Sequence, residues 1–351
     1  MTDMAPAPPK PRIGVVGFIG WGNFGDELFM LVHRQFLSPH FEVDVLHDIL
    51  EKPYFTRPVD EVVAEVDAIV IGGGDLIIPW QLSELYWRPE FLERPVFLTG
   101  IGVPRWGGFS RDVVDKMKAF IQHPNVRYIG VRDEPSREWI RQHLQPNVPV
   151  DCAPDLVCSL ELPEVELVEE RILGVVTRKR RNEGDDLLWI ERLCEKAAAL
   201  DYRLHHLVLG TGRTGAADEA VEHELSFPGK ETVRSEDVLE LCKAIGRCTA
   251  LASMKFHGSV VAAMYGVPSL VLSPTDKNRN FMNMIDRPEL LSNLSDPHLP
   301  ARFSPYLPRI PHQTRAWLRE RSTEAMERLV EAVRLEVGAT HQQTAHAAGG
   351  R

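Results

Sequence analysis

Cysteine is scarce in this sequence, with five residues in a chain of 351. Their number is odd and no two are spaced as Cys-x-x-Cys, which excludes a disulfide framework and a zinc ribbon. We interpret them as reduced packing residues. The sequence also lacks His-Glu-x-x-His and comparable ligand spacings, so we expect no metal and no resident cofactor.

Long apolar runs are missing as well. No stretch approaches the roughly 20 apolar residues that a membrane-spanning helix needs, and the N-terminal MTDMAPAPPKP lacks the hydrophobic core of a signal peptide. We therefore expect a cytoplasmic protein without a transmembrane segment. Any contact with the inner face of the membrane would be transient and peripheral.

Positive charge is in deficit, since 40 Lys and Arg stand against 50 Asp and Glu for a formal net charge of −10. Nucleic acids and anionic lipid surfaces repel such a chain unless a local basic patch overrides the net charge. We therefore expect no nucleic-acid partner. The densest basic patch is TRKRRN at 177–182, which contains Arg178, Lys179, Arg180 and Arg181.

Short apolar runs that end in Gly, Asp or Pro alternate with amphipathic stretches along the chain, as in βα units around a parallel sheet. A chain of 351 residues also exceeds one ordinary core, so we predict two doubly wound, Rossmann-like α/β lobes that face each other across a cleft. Predicted strands lie at 12–17, 42–46, 67–71, 95–100, 127–131, 172–176, 204–209, 250–253 and 269–272. Predicted helices include 111–121, 135–143, 185–199, 216–223, 235–245, 258–265 and 313–335.

The acidic, proline-containing stretch LELPEVELVEE at 160–170 has no clear periodicity and predicts a linker between the lobes. The predicted units follow from it. They are a flexible N-terminus at 1–11, an N-terminal α/β lobe at 12–160, a C-terminal α/β lobe at 171–310, a helix at 311–337 and a disordered tail at 338–351.

The loop GFIGWGNFGDE at 17–27 places Gly20, Gly22 and Gly25 in a G-x-G-x-x-G spacing. A dinucleotide fingerprint needs these glycines directly at the end of a strand. Here GFI intervenes, and two carboxylates follow the last glycine, where they would repel a pyrophosphate from the helix N-terminus. An NAD-dependent oxidoreductase is therefore the weakest hypothesis.

The polar side chains of this loop suit a different ligand. We interpret Asn23 and Asp26 as hydrogen-bonding groups for a polyhydroxy ligand laid on the flexible loop around Gly22. Glu27 is interpreted as a group that stabilises the first helical turn.

A second glycine loop, IVIGGGDL, follows a fully apolar strand. Gly73 and Gly74 would let a ligand approach the backbone closely, while Asp75 would bond a hydroxyl. A tight strand-to-helix turn explains the same glycines without a ligand. The loop LTGIGVP at 98–104 repeats the arrangement at the next strand, so the three loops are predicted to build one wall of the cleft.

Cations follow the strands of the second half. The strand ILGVVT leads into Arg178, and ALASMKFHGSVVAAMYGVP delivers Lys255 and His257 to the start of a small-residue helix. A helix N-terminus, a cation and an imidazole suit an anion such as phosphate, although a histidine here is otherwise a packed core residue. Lys277 follows the next strand and adds a further cation or merely begins a charged helix.

Taken in order, the motifs GFIGWGNFGDE, GGGDL, GIGVP, VRDEPS, DCAPDL, VVTRK and SMKFHGSVVAAMYGVPSLVLSPTDKNRNF resemble the polysaccharide pyruvyl transferase family over about the first 285 residues. The resemblance implies a glycosyltransferase-B-like fold and a metal-independent enzyme of glycan biosynthesis, making exopolysaccharide or cell wall. Such an enzyme moves pyruvate from phosphoenolpyruvate onto two hydroxyls of a sugar or lipid-linked glycan, forms a cyclic ketal and releases phosphate. Phosphoenolpyruvate would be a substrate, and the oligomeric state stays open.

The resemblance also assigns residues to the two sides of the cleft. It puts Arg178 and the segment Lys255, Phe256 and His257 at phosphoenolpyruvate, in the C-terminal lobe. The family usually has arginine where this sequence has Lys255, and lysine lacks the two parallel bonds that arginine gives a carboxylate or phosphate. This leaves Arg178 as the bidentate clamp.

The N-terminal lobe would then hold the acceptor, with Asn23 and Asp26 beside it. Arg132 of VRDEPS and Asp155 of DCAPDL match further family positions to which the sequence assigns no role.

Ketal formation needs a proton on the methylene carbon of phosphoenolpyruvate and a base for the attacking hydroxyl. We predict His257 as the general acid and Asp26 as the base, with Asp75 as the second candidate for the base. Arg178 and Lys255 would bind the carboxylate and the departing phosphate.

Two alternatives remain at this stage. A glycosyltransferase with a nucleotide-sugar donor would use the same cleft, with Asp276 as the candidate partner of the nucleotide ribose. A catalytically silent sugar-binding homologue is the other, because of the exchange at Lys255.

Overall fold

The computed structural model describes residues 10–166, 169–178 and 187–349, which form two parallel-sheet α/β domains. The predicted basic cluster Lys179, Arg180 and Arg181 and most of the predicted flexible N-terminus lie outside the described residues.

Six parallel strands of the described residues form the first sheet, in the order β2-β1-β3-β4-β5-β6. They are β1 Arg12–Val16, β2 Glu42–Val45, β3 Ala68–Gly74, β4 Val96–Ile101, β5 Val126–Val131 and β6 Val150–Cys152. The accompanying α-helices are α1 Phe24–Leu37, α2 Val59–Ala64, α3 Arg111–Ile121 and α4 Glu134–His143. Strands β3 and β4 are buried along their whole length, because helices cover both faces of a doubly wound sheet.

The second sheet has five parallel strands in the described part of the chain, in the order β11-β10-β7-β8-β9. They are β7 Ile172–Val176, β8 Arg203–Leu207, β9 Lys230–Val233, β10 Ala250–Ser253 and β11 Ser269–Val271. The helices of this half are α5 Leu188–Ala198, α6 Gly212–Glu224, α7 Val238–Gly246, α8 Phe256–Tyr265, α9 Asp276–Met284, α10 Leu299–Arg302 and α11 His312–Gly349.

Strands β6 and β9 are absent from the sequence-based prediction. Both are short strands at a sheet edge, and β9 is polar and only partly buried. Edge strands lack the continuous apolar run by which the central strands of a parallel sheet are recognised, so no pattern marked them.

Helix α11 leaves the second sheet and packs against the first domain. Ser322 Oγ donates to the carbonyl oxygen of Asp155 at 2.9 Å, and Arg328 Nε lies 2.9 Å from Asp151 Oδ2. The helix continues to Gly349, through most of the segment predicted to be disordered. Gly338 does not end it, because one glycine costs a helix only about 1 kcal/mol and no proline follows.

In the described part of the chain, no helix combines the length and the apolar character that crossing a bilayer requires.

Candidate active site

A cavity of about 530 Å³ lies between the two domains, where the carboxyl ends of both sheets meet. The first turn of α1, the loop after β3 and Arg132 after β5 line it from the first domain. Arg178, the segment Lys255 to His257 and Lys277 line it from the second. Crevices at the carboxyl ends of strands are the usual ligand sites of such sheets.

Asp26 lies in the first turn of α1 and faces this cavity. The helix begins after Asn23, whose side chain accepts a hydrogen bond of 3.4 Å from the backbone nitrogen of Gly25. Burial raises the pKa of Asp26 from 3.8 to about 7, although the cation of Lys277 opposes the rise. A carboxyl group with this pKa carries a proton in about half of the molecules at neutral pH.

Glu27 accepts hydrogen bonds from the backbone N–H groups that would otherwise bind the pyrophosphate of a dinucleotide. Its Oε1 accepts hydrogen bonds from the backbone nitrogens of Gly20 at 2.8 Å and Gly22 at 2.9 Å. The glycine loop therefore folds back onto its own helix instead of presenting its N–H groups to a pyrophosphate.

Gly22 does not line the cavity, contrary to its predicted place beside the ligand. Its carbonyl oxygen accepts from the backbone nitrogen of Thr211 at 2.9 Å, so it forms a contact between the domains. A β-carbon at Gly22 would collide with the carbonyl oxygen of Thr211, which together with a φ of 78° explains the glycine.

In the second glycine loop, one of the two predicted contact residues lines the cavity and the other is packed in the interior. Gly74 lines the cavity with a φ of 110°. Gly73 does not, because the ring of Phe29 covers it and a β-carbon there would approach Phe29 Cε1 to 2.8 Å. Of the two predicted contacts, the structure places only Gly74 where a ligand can reach it.

Asp75 joins two cations from different domains. It pairs with Arg132 of its own domain and with Lys277 Nζ across the cleft at 3.0 Å. Burial alone would raise the pKa of Asp75, but Arg132 and Lys277 outweigh it and lower the value to about 2. Asp75 is therefore an ionised partner for these cations, which makes it a poor candidate for the base.

Arg132 is almost fully buried, and its guanidinium lies 5.4 Å from the ring centroid of Phe256. Lys277 Nζ lies 5.5 Å from the same ring, so Phe256 contacts two cations. Among the described residues, Arg132 Nη1 has no hydrogen-bond partner. Arg132 therefore keeps a buried donor without a partner in the described part of the chain, while the residue itself lines the cavity.

His257 lies between α1 and the buried acid Asp155. Its ring meets Phe29 edge-on, with centroids 5.0 Å apart, and a β-carbon on Gly25 would collide with its Nδ1. Its Nε2 lies 3.5 Å from Asp155 Oδ2, which is longer than a well-formed hydrogen bond, and the two groups form an ion pair only when the imidazole is protonated. Burial lowers the pKa of His257, against the opposing effect of Asp155, so the imidazole is mainly neutral at neutral pH.

Asp155 is held in place by the surrounding backbone. Its carboxylate accepts a hydrogen bond of 3.1 Å from the nitrogen of Val157, at the start of the 3-10 helix Leu156–Ser159. Burial would raise the pKa of this carboxyl, but His257 and Arg132 together lower it below the ordinary value. The ionised Asp155 therefore orients His257 and favours its protonated form.

Lys255 pairs with Asp218, which lies on α6. Strand β10 ends at Ser253, and Lys255 immediately precedes the first residue of α8, so Lys255 and His257 lie at the start of this helix. Nothing in the sequence near Asp218 pointed to this pairing.

Arg178 is exposed at the rim of the cavity, where its Nη2 lies 3.4 Å from Ser273 Oγ.

Asp276 lies outside the main cavity. Its Oδ2 accepts a hydrogen bond of 3.0 Å from the backbone nitrogen of Arg105, which ties α9 to the first domain. Its carboxylate is thus engaged in a contact between domains, and this does not support the ribose-binding role considered from the sequence.

The described residues that line the cavity carry more positive than negative charge. Five are cationic and three are carboxylates, one of which is half protonated at neutral pH. In order of position they are Asp26, Asp75, Arg132, Arg178, Arg213, Asp218, Lys255 and Lys277. The sequence did not mark Arg213, Asp218, Phe18 or Tyr86 as lining residues. Arg213 also pairs with Glu51 at 3.0 Å, so the remaining excess of positive charge is smaller and suits a small anionic ligand.

Comparison with solved structures shows the fold. The MnaA–UDP co-structure from S. aureus superposes with a TM-score of 0.59 at 10% identity, covering 93% of this chain and 97% of that chain. A putative UDP-N-acetylglucosamine 2-epimerase from Listeria monocytogenes gives 0.57 at 10% identity, with 93% and 96% covered. The UDP-N-acetylglucosamine 2-epimerase of Rickettsia bellii gives 0.55 at 10% identity, with 95% and 98% covered.

These likenesses confirm the predicted glycosyltransferase-B-like arrangement of two α/β domains, and at such low identity they concern the fold alone. No sequence among the curated proteins matches the chain. The sequence model of one family, described as polysaccharide pyruvyl transferase, matches residues 23–276, which is most of both domains. The chain therefore belongs to the polysaccharide pyruvyl transferase family.

Proposed function

We propose that this protein transfers pyruvate from phosphoenolpyruvate to two hydroxyls of a sugar or lipid-linked glycan, with release of phosphate. One observation carries the proposal. Asp26, with a pKa near neutrality, and His257, paired with a buried carboxylate, line one cavity that has an excess of cations. This combination supplies proton transfer and binding of a multiply charged anion in the same place.

The donor would lie over Phe256. Its carboxylate and phosphate need cations, and Arg132 and Lys277 both lie over this ring while Arg178 lies at the rim. Arg132 lines the cavity, and a guanidinium group suits a carboxylate or phosphate oxygen. Lys255 contributes as a point charge already balanced by Asp218, which makes it a weaker ligand than the family resemblance alone implies.

The reaction balances without a redox step. A proton added to the methylene carbon of phosphoenolpyruvate makes a methyl group, while the first sugar hydroxyl bonds to the adjacent carbon and loses its proton. The bond from that carbon to the phosphate oxygen then breaks, with the electron pair leaving on phosphate. The second hydroxyl bonds to the same carbon and closes the ring. The two sugar hydroxyls lose two protons in total. One of them restores the proton that the general acid gave to the methylene carbon, and the other leaves on phosphate.

The pKa values favour the reverse of the roles predicted from the sequence. Asp26 carries a proton in about half of the molecules at neutral pH, so we assign it the protonation of the methylene carbon. His257 is mainly neutral and its Asp155 partner stabilises the charged form, so we assign it the proton of the attacking hydroxyl. Neither assignment needs a group with an extreme pKa.

The test is to incubate the purified protein with phosphoenolpyruvate and a panel of glycans. We expect one ketal per phosphate released, detected by mass spectrometry and a phosphate assay. His257→Gln and Asp26→Asn should each lower the rate by about 100- to 10,000-fold, the usual loss for a proton-transfer group. Turnover with UDP-sugars, and none with phosphoenolpyruvate, would establish the glycosyltransferase alternative. Glycan binding without turnover of either donor would establish the silent homologue.

A further inference from the structure

A second cavity, of about 380 Å³, lies between the segment that joins the two domains and the start of α11. The joining segment contributes Leu162 to Val165, and Met264 and Tyr265 come from the end of α8. Of the residues that the structure describes, none lines both this cavity and the one between the domains. The joining segment is anchored here, because Tyr265 Oη donates to the carbonyl oxygen of Pro163 at 2.8 Å.

Three arginines converge on this second cavity, namely Arg309, Arg315 and Arg319. Throughout the described ranges, no carboxylate lies within 4.0 Å of their guanidinium groups. Arg309 Nη2 donates to the carbonyl oxygen of Tyr265 at 3.1 Å, at the C-terminal end of α8. That helix end supplies about half a negative charge, which is far less than the three positive charges around it.

Arg315 is the most buried of the three. Its Nε is buried, and among the described residues it has no hydrogen-bond partner. Burial lowers the pKa of Arg315, and the neighbouring charges of Arg309 and Arg319 lower it further. The one carboxylate among the described lining residues is that of Glu164, which is not within ion-pair distance of any of these arginines.

We propose that the second cavity binds a phosphate-bearing anion, with Arg315 and Arg319 as its main ligands. Guanidinium groups bind phosphate oxygens through paired, charge-assisted hydrogen bonds, and an anion here would remove the mutual repulsion of the three cations. Leu162, Val165 and Met264 provide an apolar wall for the organic part of the ligand. A soluble phosphate ester and a lipid phosphate headgroup present the same chemistry to this cavity.

The site lies where both crossings between the domains meet. The cavity is built from the joining segment and from α11, which packs on the first domain after leaving the second. Arg315 and Arg319 both belong to α11, so a bound anion would be held on this helix, beside the apolar side chains of the joining segment.

The test is calorimetric titration of the full-length protein with inorganic pyrophosphate. Wild-type protein should bind it at two sites, one in each cavity, and Lys277→Gln, which alters the catalytic cavity, should keep the site at Arg315 and Arg319. The double variant Arg315→Gln with Arg319→Gln should lose that site or bind there at least about tenfold more weakly, since it removes two charge-assisted ligands, and should keep the site in the catalytic cavity. Should the double variant fail to fold, Arg319→Gln alone serves, because that side chain is exposed.

Sedimentation with vesicles distinguishes the source of the phosphate. Binding to vesicles of phosphatidylcholine with phosphatidylglycerol, but not of phosphatidylcholine alone, and its loss in the arginine variants would identify a lipid headgroup. Binding of pyrophosphate alone would identify a soluble ligand. Unchanged pyrophosphate binding in the arginine variants, its complete loss in Lys277→Gln, or binding of neither probe by the wild type would overturn the proposal.

Discussion

Replacing Asp26 by asparagine tests the electrostatics of the catalytic cavity through stability. Burial raises the pKa of Asp26 from 3.8 to about 7, a shift of about three units or about 4 kcal/mol. Because the folded state holds this proton more tightly than the unfolded chain, the native state loses stability as pH rises from about 4 to about 7. Asparagine keeps the size of the side chain and does not ionise. The variant should therefore gain up to about 4 kcal/mol over wild type across this interval.

The assay is urea unfolding of both proteins at a series of pH values, analysed as the difference between them. Asp75→Asn provides the matched control with the opposite sign. The pKa of Asp75 is lowered to about 2, so its ionised form stabilises the fold above about pH 4 by about 2 kcal/mol, which this variant should lose. That deficit should shrink as pH falls toward about 2. A difference for Asp26→Asn that does not change with pH would refute the burial argument.

Two further substitutions test the position of His257. Gly25→Ala should reduce kcat by about 100-fold or more because the new methyl group collides with His257 Nδ1, whereas Gly338→Ala, which meets nothing within 4 Å, should keep full activity. Full activity in Gly25→Ala would show that the ring position is not needed. Asp155→Asn should move the acidic limb of the kcat/KM profile to lower pH, because Asp155 favours the protonated imidazole. An unmoved limb would remove Asp155 as the positioning residue of His257.

Several residues that line the catalytic cavity were predicted from the sequence, because parallel strands bring their carboxyl ends to one edge of a sheet. Asp26, His257, Lys255 and Lys277 each follow a strand, and each lines the cavity. No long-range information was needed for this, since the βα pattern itself determines where these loops meet.

The pairings between these side chains were not predictable, because they depend on how the two domains meet. Nothing in the local sequence indicates that Asp75 reaches Lys277 across the cleft or that Lys255 pairs with Asp218. The same limit explains Gly22, whose spacing suggested a ligand loop and whose actual neighbour is Thr211 of the other domain.

The protonation states of Asp26 and His257 could not be predicted from the sequence for a related reason. Burial dominates the pKa values of Asp26 and His257, and burial is a property of the folded cavity. From residue types alone the imidazole was the natural acid and the carboxylate the natural base. Their surroundings favour the opposite assignment.

The position of phosphoenolpyruvate in a crystal of the His257→Gln protein tests the central claim most directly. We expect the donor over the ring of Phe256, with its carboxylate or phosphate on Arg132 and Lys277 and its methylene carbon facing the Asp26 carboxyl group. Density for the donor at another site, or at the rim with Asp26 turned away from the methylene carbon, would contradict the account.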